Sequence, residues 1–171
     1  MAGVIECVTF AYGGTLTSPC AARDPVLGMR PVTEDAARTI QHLASRNLLW
    51  VLLSNTGPGQ DRTRALARAG ILELFTAVLQ SSELGLDKPD PLAYAQICHA
   101  IHRPPHQVML VGNNFTNDVT APMASGMRAA LLRPHGLAAE EIPLLPRGAH
   151  VLRRVSDVSG LLDSGEKLYL P

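Results

Sequence analysis

Apolar residues in this chain fall into short continuous blocks, separated by stretches where they recur three or four apart. The blocks cover about residues 4–11, 48–53, 76–80, 108–111 and 128–132. The run 48–53 is apolar at every position, which is how a strand buried on both faces reads. The intervening stretches read as helices. Ala36, Ala37, Ile40 and Leu43 predict a helix over about residues 34–46, with Thr33 as N-cap. Further helices are predicted over about residues 60–69, ended by Gly70, and 91–102, with Pro91 in the first turn. Two more follow over about 117–125, closed by Gly126, and 156–163. The Pro- and Gly-rich stretch 17–31 and the segment running to Pro89 read as loops. Residues 133–148, with Pro134, Pro143 and Pro146, read as an irregular connection, and 151–155 as an edge strand. Strands alternating with helices define a parallel α/β domain. The expectation is one domain over residues 1–171, with its core at about 4–163 and a tail at 164–171 that is frayed or docked on a partner.

Composition narrows the picture in three ways. Aromatics are only 4% of the chain against 46% hydrophobic residues, so Leu, Val, Ile and Ala must build the core. Fifteen basic and fifteen acidic side chains cancel. No overall field then draws in nucleic acid or an anionic membrane, and weak colloidal repulsion leans toward self-association. The three cysteines, Cys7, Cys20 and Cys98, show no paired spacing, which reads as reduced thiols in a cytoplasmic protein. No apolar run approaches a membrane span, and no secretory signal is evident at the start.

Most candidate chemistry has a plain structural reading. His99, His102 and His106 should surround a helix end before and after Pro104-Pro105, at the surface and not as a metal site. Arg62, Arg64 and Arg68 share one predicted helix and read as a solvated face. Cys7 and Cys98 read as core residues, and Cys20 lacks an activating base.

Four segments stand apart. They are Val8-Thr9-Phe10-Ala11-Tyr12-Gly13-Gly14-Thr15-Leu16-Thr17; Val51-Leu52-Leu53-Ser54-Asn55; Gly85-Leu86-Asp87-Lys88-Pro89-Asp90-Pro91; and Val111-Gly112-Asn113-Asn114-Phe115-Thr116-Asn117-Asp118-Val119 with Ala124-Ser125-Gly126-Met127. In this order and spacing they resemble the motifs of the haloacid dehalogenase (HAD) superfamily. The resemblance covers about residues 4–132. It implies a Rossmann-like, three-layer α/β/α domain with a mainly parallel sheet and its site at the carboxyl ends of the strands. The intervals after the first and second motifs are too short for a large cap domain, which implies a capless member with an open site. A second copy of the chain or another protein would then cover the cleft.

The same resemblance assigns chemistry that the residues do not carry. In the family an Asp attacks phosphorus, a second Asp serves as acid and base, and a further Asp holds Mg²⁺. Ala11, Gly13 and Asn113 stand at those positions. Three departures favour natural degeneration over one engineered change. Mg²⁺ needs one or two anionic oxygens, so its binding is expected to be weak or absent, with no other cofactor. What remains is a ligand-binding inventory: Ser54, Asn55, Lys88, Asn113, Asn114, Asp118 and Tyr12, with a nest of Gly13, Gly14 and Thr15 amides suited to a small anion. A structural reading stands beside it, in which Lys88 pairs with Asp118, Ser54 caps its loop and Tyr12 fills vacated space. The leading expectation is a HAD-fold pseudophosphatase acting by binding, regulation or assembly. One alternative is an enzyme with metal-independent chemistry in the same cleft. Another is a weak hydrolase that borrows carboxylates such as Asp87 or Asp90, or those of a second chain.

Overall fold

A computed structural model describes residues 4–164. Six parallel strands form one sheet: β1 (Cys7–Phe10), β2 (Leu49–Ser54), β3 (Ala77–Gln80), β4 (Val108–Gly112), β5 (Arg128–Leu132) and β6 (His150–Leu152). Their spatial order is β3-β2-β1-β4-β5-β6. The chain reverses direction across the sheet between β1 and β4. In such sheets the crevice beyond the carboxyl ends of those strands is where sites form.

Successive strand residues point to opposite faces, and both faces are covered. Val8, Phe10, Leu52 and Val111 pack with Ile40 and Leu43 of α1 (Glu34–Leu43) and Leu66 of α2 (Arg62–Arg68). Cys7, Val51, Leu53 and Leu110 pack with Tyr94 and Ile97 of α4 (Pro91–Ile101). Phe10 and Trp50 stack with ring centres 6.1 Å apart. Burial pushes the Cys7 thiol up to about 12, which keeps it inert. Cys98 is only partly buried, against the α4 face of the core, and Cys20 is exposed.

The helix boundaries follow local chemistry. Thr33 caps α1 by accepting from the Ala36 amide, and α1 ends at Leu43, three residues before the expected limit. Asp61 caps α2 and Asp90 caps α4 in the same way. The segment leading to Pro89 is not all loop: α3 (Ser81–Leu84) forms one turn, closed by Gly85 at φ 67°. A π-helical turn, Thr116–Thr120, runs into α5 (Ala121–Ala124). The strand expected at 151–155 is instead β6 at His150–Leu152, followed by α6 (Asp157–Asp163). Between β1 and α1 the chain makes turns and one isolated bridge, Asp24 to Met29. The expected tail begins at residue 164 and continues outside the described residues.

Candidate functional site at the strand ends

β1, β2 and β4 deliver Ala11, Ser54 and Asn113 to one end of the sheet. Ala11 is almost fully buried and its amide donates to the Val111 carbonyl at 2.9 Å. The chain then turns on itself. The Thr15 and Leu16 amides both donate to the Tyr12 carbonyl, and the Gly14 amide donates to Thr17 Oγ1 at 3.0 Å. Two of the three amides expected to form an anion nest are therefore satisfied within the turn. Thr15 Oγ1 is buried and has no hydrogen-bond partner.

Gly14 has φ +69°, and a Cβ there would lie 2.1 Å from Asn113 Nδ2. The Asn113 amide thus rests directly on the β1 turn. The backbone carbonyl of Asn113 accepts from Arg133 at 2.6 Å, and Arg133 is itself paired with Glu141.

Lys88 and Asp118 form the buried centre of the site. Lys88 Nζ donates to Asp118 Oδ1 at 2.6 Å, with the two side chains 6% and 2% exposed. Asp118 Oδ2 accepts from the Asn114 amide at 2.9 Å. A Cβ on Gly112 would fall 2.2 Å from Asp118 Cγ, so only glycine lets the carboxylate lie against β4. Asn55 positions the lysine from the other side. Its side chain accepts from the Lys88 amide and donates to the Lys88 carbonyl, both at 2.9 Å. Asn114 Oδ1 accepts from the Asn117 amide, which shapes the turn carrying Asp118. Below it, the Tyr94 hydroxyl donates to the Asn117 carbonyl at 2.7 Å, and burial together with the Asp118 charge raises its pKa.

Arg62 corrects the expectation of a solvated arginine face. Arg64 and Arg68 are exposed, reaching the Val26 carbonyl and Asp24 on the loop before α1. Arg62 is buried. Its guanidinium stacks 4.2 Å from the Tyr12 ring centre and donates through Nε to Ser54 Oγ at 3.1 Å. Its remaining contacts are the Asn55 carbonyl, Gln60 Oε1 and Met29 Sδ, all neutral. Desolvation lowers its pKa. The signal was present in the sequence. Arg62 precedes Ala65 and Leu66 by three and four residues, which places it on their buried face.

Ser54 and Tyr12 are accordingly engaged within the protein. Ser54 Oγ accepts from Arg62, and the Tyr12 hydroxyl donates to the Arg30 carbonyl at 2.6 Å. Of the expected ligand-binding residues, Asn55, Asn113 and Asn114 are the exposed ones, while Ser54, Lys88, Asp118 and Tyr12 lie beneath them. His99, His102 and His106 are exposed and distant in the fold, at the end of α4 and the start of β4.

The strand order and the four clustered motifs define a HAD-type α/β fold. A family model described as haloacid dehalogenase-like hydrolase matches residues 15–126, and the chain belongs to that family. The phosphoserine phosphatase of Thermus thermophilus is 32% identical over 58% of this chain and 39% of its own length. Human haloacid dehalogenase-like hydrolase domain-containing protein 3 is 29% identical over 75% of this chain and 53% of its own. The chain thus spans between two-fifths and about half of these relatives. Among solved structures, an uncharacterized protein from Listeria monocytogenes serotype 4b superposes with a TM-score of 0.78 at 24% identity, covering 96% of this chain and 100% of the other. L-2-haloacid dehalogenase from Xanthobacter autotrophicus superposes at 0.71 and 17% identity, covering 94% and 99%. At these identities the likeness is one of fold.

Proposed function

We propose that this chain is a catalytically impaired HAD-like protein, a pseudophosphatase, that acts by binding a small anion at the strand ends. The observation that carries this reading is that Ala11, at the end of β1, is buried and without a side-chain oxygen, while Lys88 and Asp118 are already joined in a buried pair. Hydrolysis through an aspartyl-phosphate needs a nucleophilic oxygen on residue 11 and an acid on residue 13. Ala11 and Gly13 offer neither.

The donor set does not suit Mg²⁺. Asp118 already accepts from Lys88 and from the Asn114 amide, and Asn113 presents a neutral amide. A hard cation that dehydrates reluctantly needs a carboxylate oxygen that is not already committed to a buried ion pair.

Charge favours an anion instead. Lys88 and Arg62 set two buried cations against the single carboxylate of Asp118. The exposed amides of Asn55, Asn113 and Asn114 are the groups positioned to meet it. A protein partner or second copy covering this end of the sheet would complete the enclosure.

A titration with inorganic phosphate in the absence of metal, followed by amide NMR, tests the reading. Saturable shifts centred on Gly13, Asn55 and Asn114 are expected. Phosphate that leaves those resonances unmoved overturns the anion-binding role.

A further inference from the structure

Segments from both faces of the sheet border the mouth of the strand-end cleft. On the α1 and α2 face stands loop 17–31, whose Leu27 and Met29 pack into the core with Ile40 and Leu66. The Tyr12 hydroxyl holds this loop through the Arg30 carbonyl. On the α4 face stands segment 86–92, which carries Lys88 and opens α4. Segment 138–145 stands on that face too. Its Leu145 packs against the cluster of Leu131, which the β4–β5 register places on the side of Leu110. Its Glu141 pairs with Arg133, whose guanidinium donates to the Asn113 carbonyl.

The two sides carry opposite charge. Loop 17–31 exposes Arg23 and Arg30, and its one acid, Asp24, is paired with Arg68. Arg30 donates through Nε to a neutral carbonyl, that of Ala21. Across the cleft, segment 86–92 exposes Asp87 and Asp90, and its one cation, Lys88, is buried against Asp118. Segment 138–145 exposes Glu140 and holds no cation. Apolar surface accompanies the charge. Of the six large apolar side chains exposed among the described residues, Val26 lies on the basic side and Leu92, Ile142 and Leu144 on the acidic side.

We infer that a second copy of this chain covers the cleft, with the basic loop of each copy set against the acidic side of the other. One surface carries both halves of the contact, so a two-fold pairing makes it twice. Opposite charges select this orientation over basic against basic, and burial of the apolar side chains between the copies drives association. Such a dimer rests on the reading above for its role, since what it encloses is the anion site. Its formation is read by mass and not by phosphate binding, so either can fail while the other stands.

Sedimentation equilibrium of the full chain tests the pairing, with Arg23→Glu/Arg30→Glu and Asp87→Lys/Glu140→Lys as complementary charge variants. The parent should dimerise with a dissociation constant on the order of micromolar or tighter, the range of interfaces of standard size. Each double variant alone should associate roughly tenfold more weakly or worse, because like charges then meet twice. Mixed in equal amounts, the two should regain the parental affinity, since one contact keeps its native charges and the other has both reversed. Val26→Asp should also weaken the dimer by roughly tenfold or more, through lost apolar burial and repulsion from the acidic side. Far-UV circular dichroism identifies any charge variant that fails to fold, and Val26→Asp then decides. A parent that keeps the mass of one chain at about a hundredfold above micromolar concentration overturns the inference. So does a dimer unaffected in a folded variant, or folded charge variants that stay apart when mixed.

Discussion

Lys88 and Asp118 are 30 residues apart in sequence and 2.6 Å apart in the fold, in a space closed to water. Each charge is tolerable there only because the other is present. Lys88→Ala or Asp118→Asn should therefore destabilise the protein by about 3–5 kcal/mol, since either leaves an uncompensated buried group. Replacing both with apolar residues of similar volume, as in Lys88→Met with Asp118→Leu, should cost much less than the sum. Urea unfolding of the three variants checks this. Single variants within about 0.5 kcal/mol of the parent would show that the pair carries no such weight.

Arg62 and Arg64 sit two residues apart on α2 and should behave differently. Arg62→Ala removes the stack on Tyr12 and the donor to Ser54, both desolvated, and should cost about 2 kcal/mol or more. Arg64 is exposed, and Arg64→Ala should fall within about 0.5 kcal/mol. Arg62→Lys should rescue little, because an ammonium lacks the planar face and fork. Equal melting temperatures for the two alanine variants would contradict the placement.

Two glycines should also separate. Gly112→Ala drives a methyl group into the Asp118 carboxylate, which is locked by Lys88, and should cost about 3 kcal/mol or more. Gly14→Ala meets the exposed Asn113 side chain, which can rotate away. Its cost is mainly that of a left-handed backbone, about 1–2 kcal/mol. Thermal melts rank the two, with Gly112→Ala expected to be the less stable.

Acid should destabilise the fold through three half-buried carboxylates. Glu141 is held down to about 2, chiefly by the Arg133 guanidinium and then by the Ala138 amide. Asp24 is lowered mainly by the Leu27 amide, and Asp61 mainly by the Thr63 hydroxyl. A folded-state pKa below the unfolded one contributes stability that is complete above the unfolded value and disappears as pH falls through the folded value. For Glu141 that window runs from about 4.5 down to about 2. Unfolding midpoints measured across it should fall with acid, and Glu141→Gln should flatten part of the decline. An unchanged slope in that variant would contradict the assignment.

The strands were legible because both faces of the sheet are covered, so Leu49–Ser54 and Val108–Gly112 are apolar nearly throughout. Caps such as Thr33 announced themselves through local hydrogen bonding. The one-turn helix α3 was not legible, since four residues carry too little periodicity to separate from a loop. The motifs brought Ala11, Ser54, Lys88, Asn113 and Asp118 to one end of the sheet, but not the directions of their hydrogen bonds. The Gly14 and Thr15 amides turn inward, onto Thr17 Oγ1 and the Tyr12 carbonyl, a local closure that motif spacing does not encode. Arg62 was missed because its charge suggested solvent, whereas its spacing from Ala65 and Leu66 places it in the core.

Hydrolysis of p-nitrophenyl phosphate in saturating Mg²⁺, measured for the parent chain beside a Lys88→Ala variant, addresses the proposed loss of catalysis most directly. Rates for both at the buffer background are the expected result. Magnesium-dependent turnover by the parent that disappears in the Lys88 variant would mean that the strand ends still perform phosphoryl chemistry.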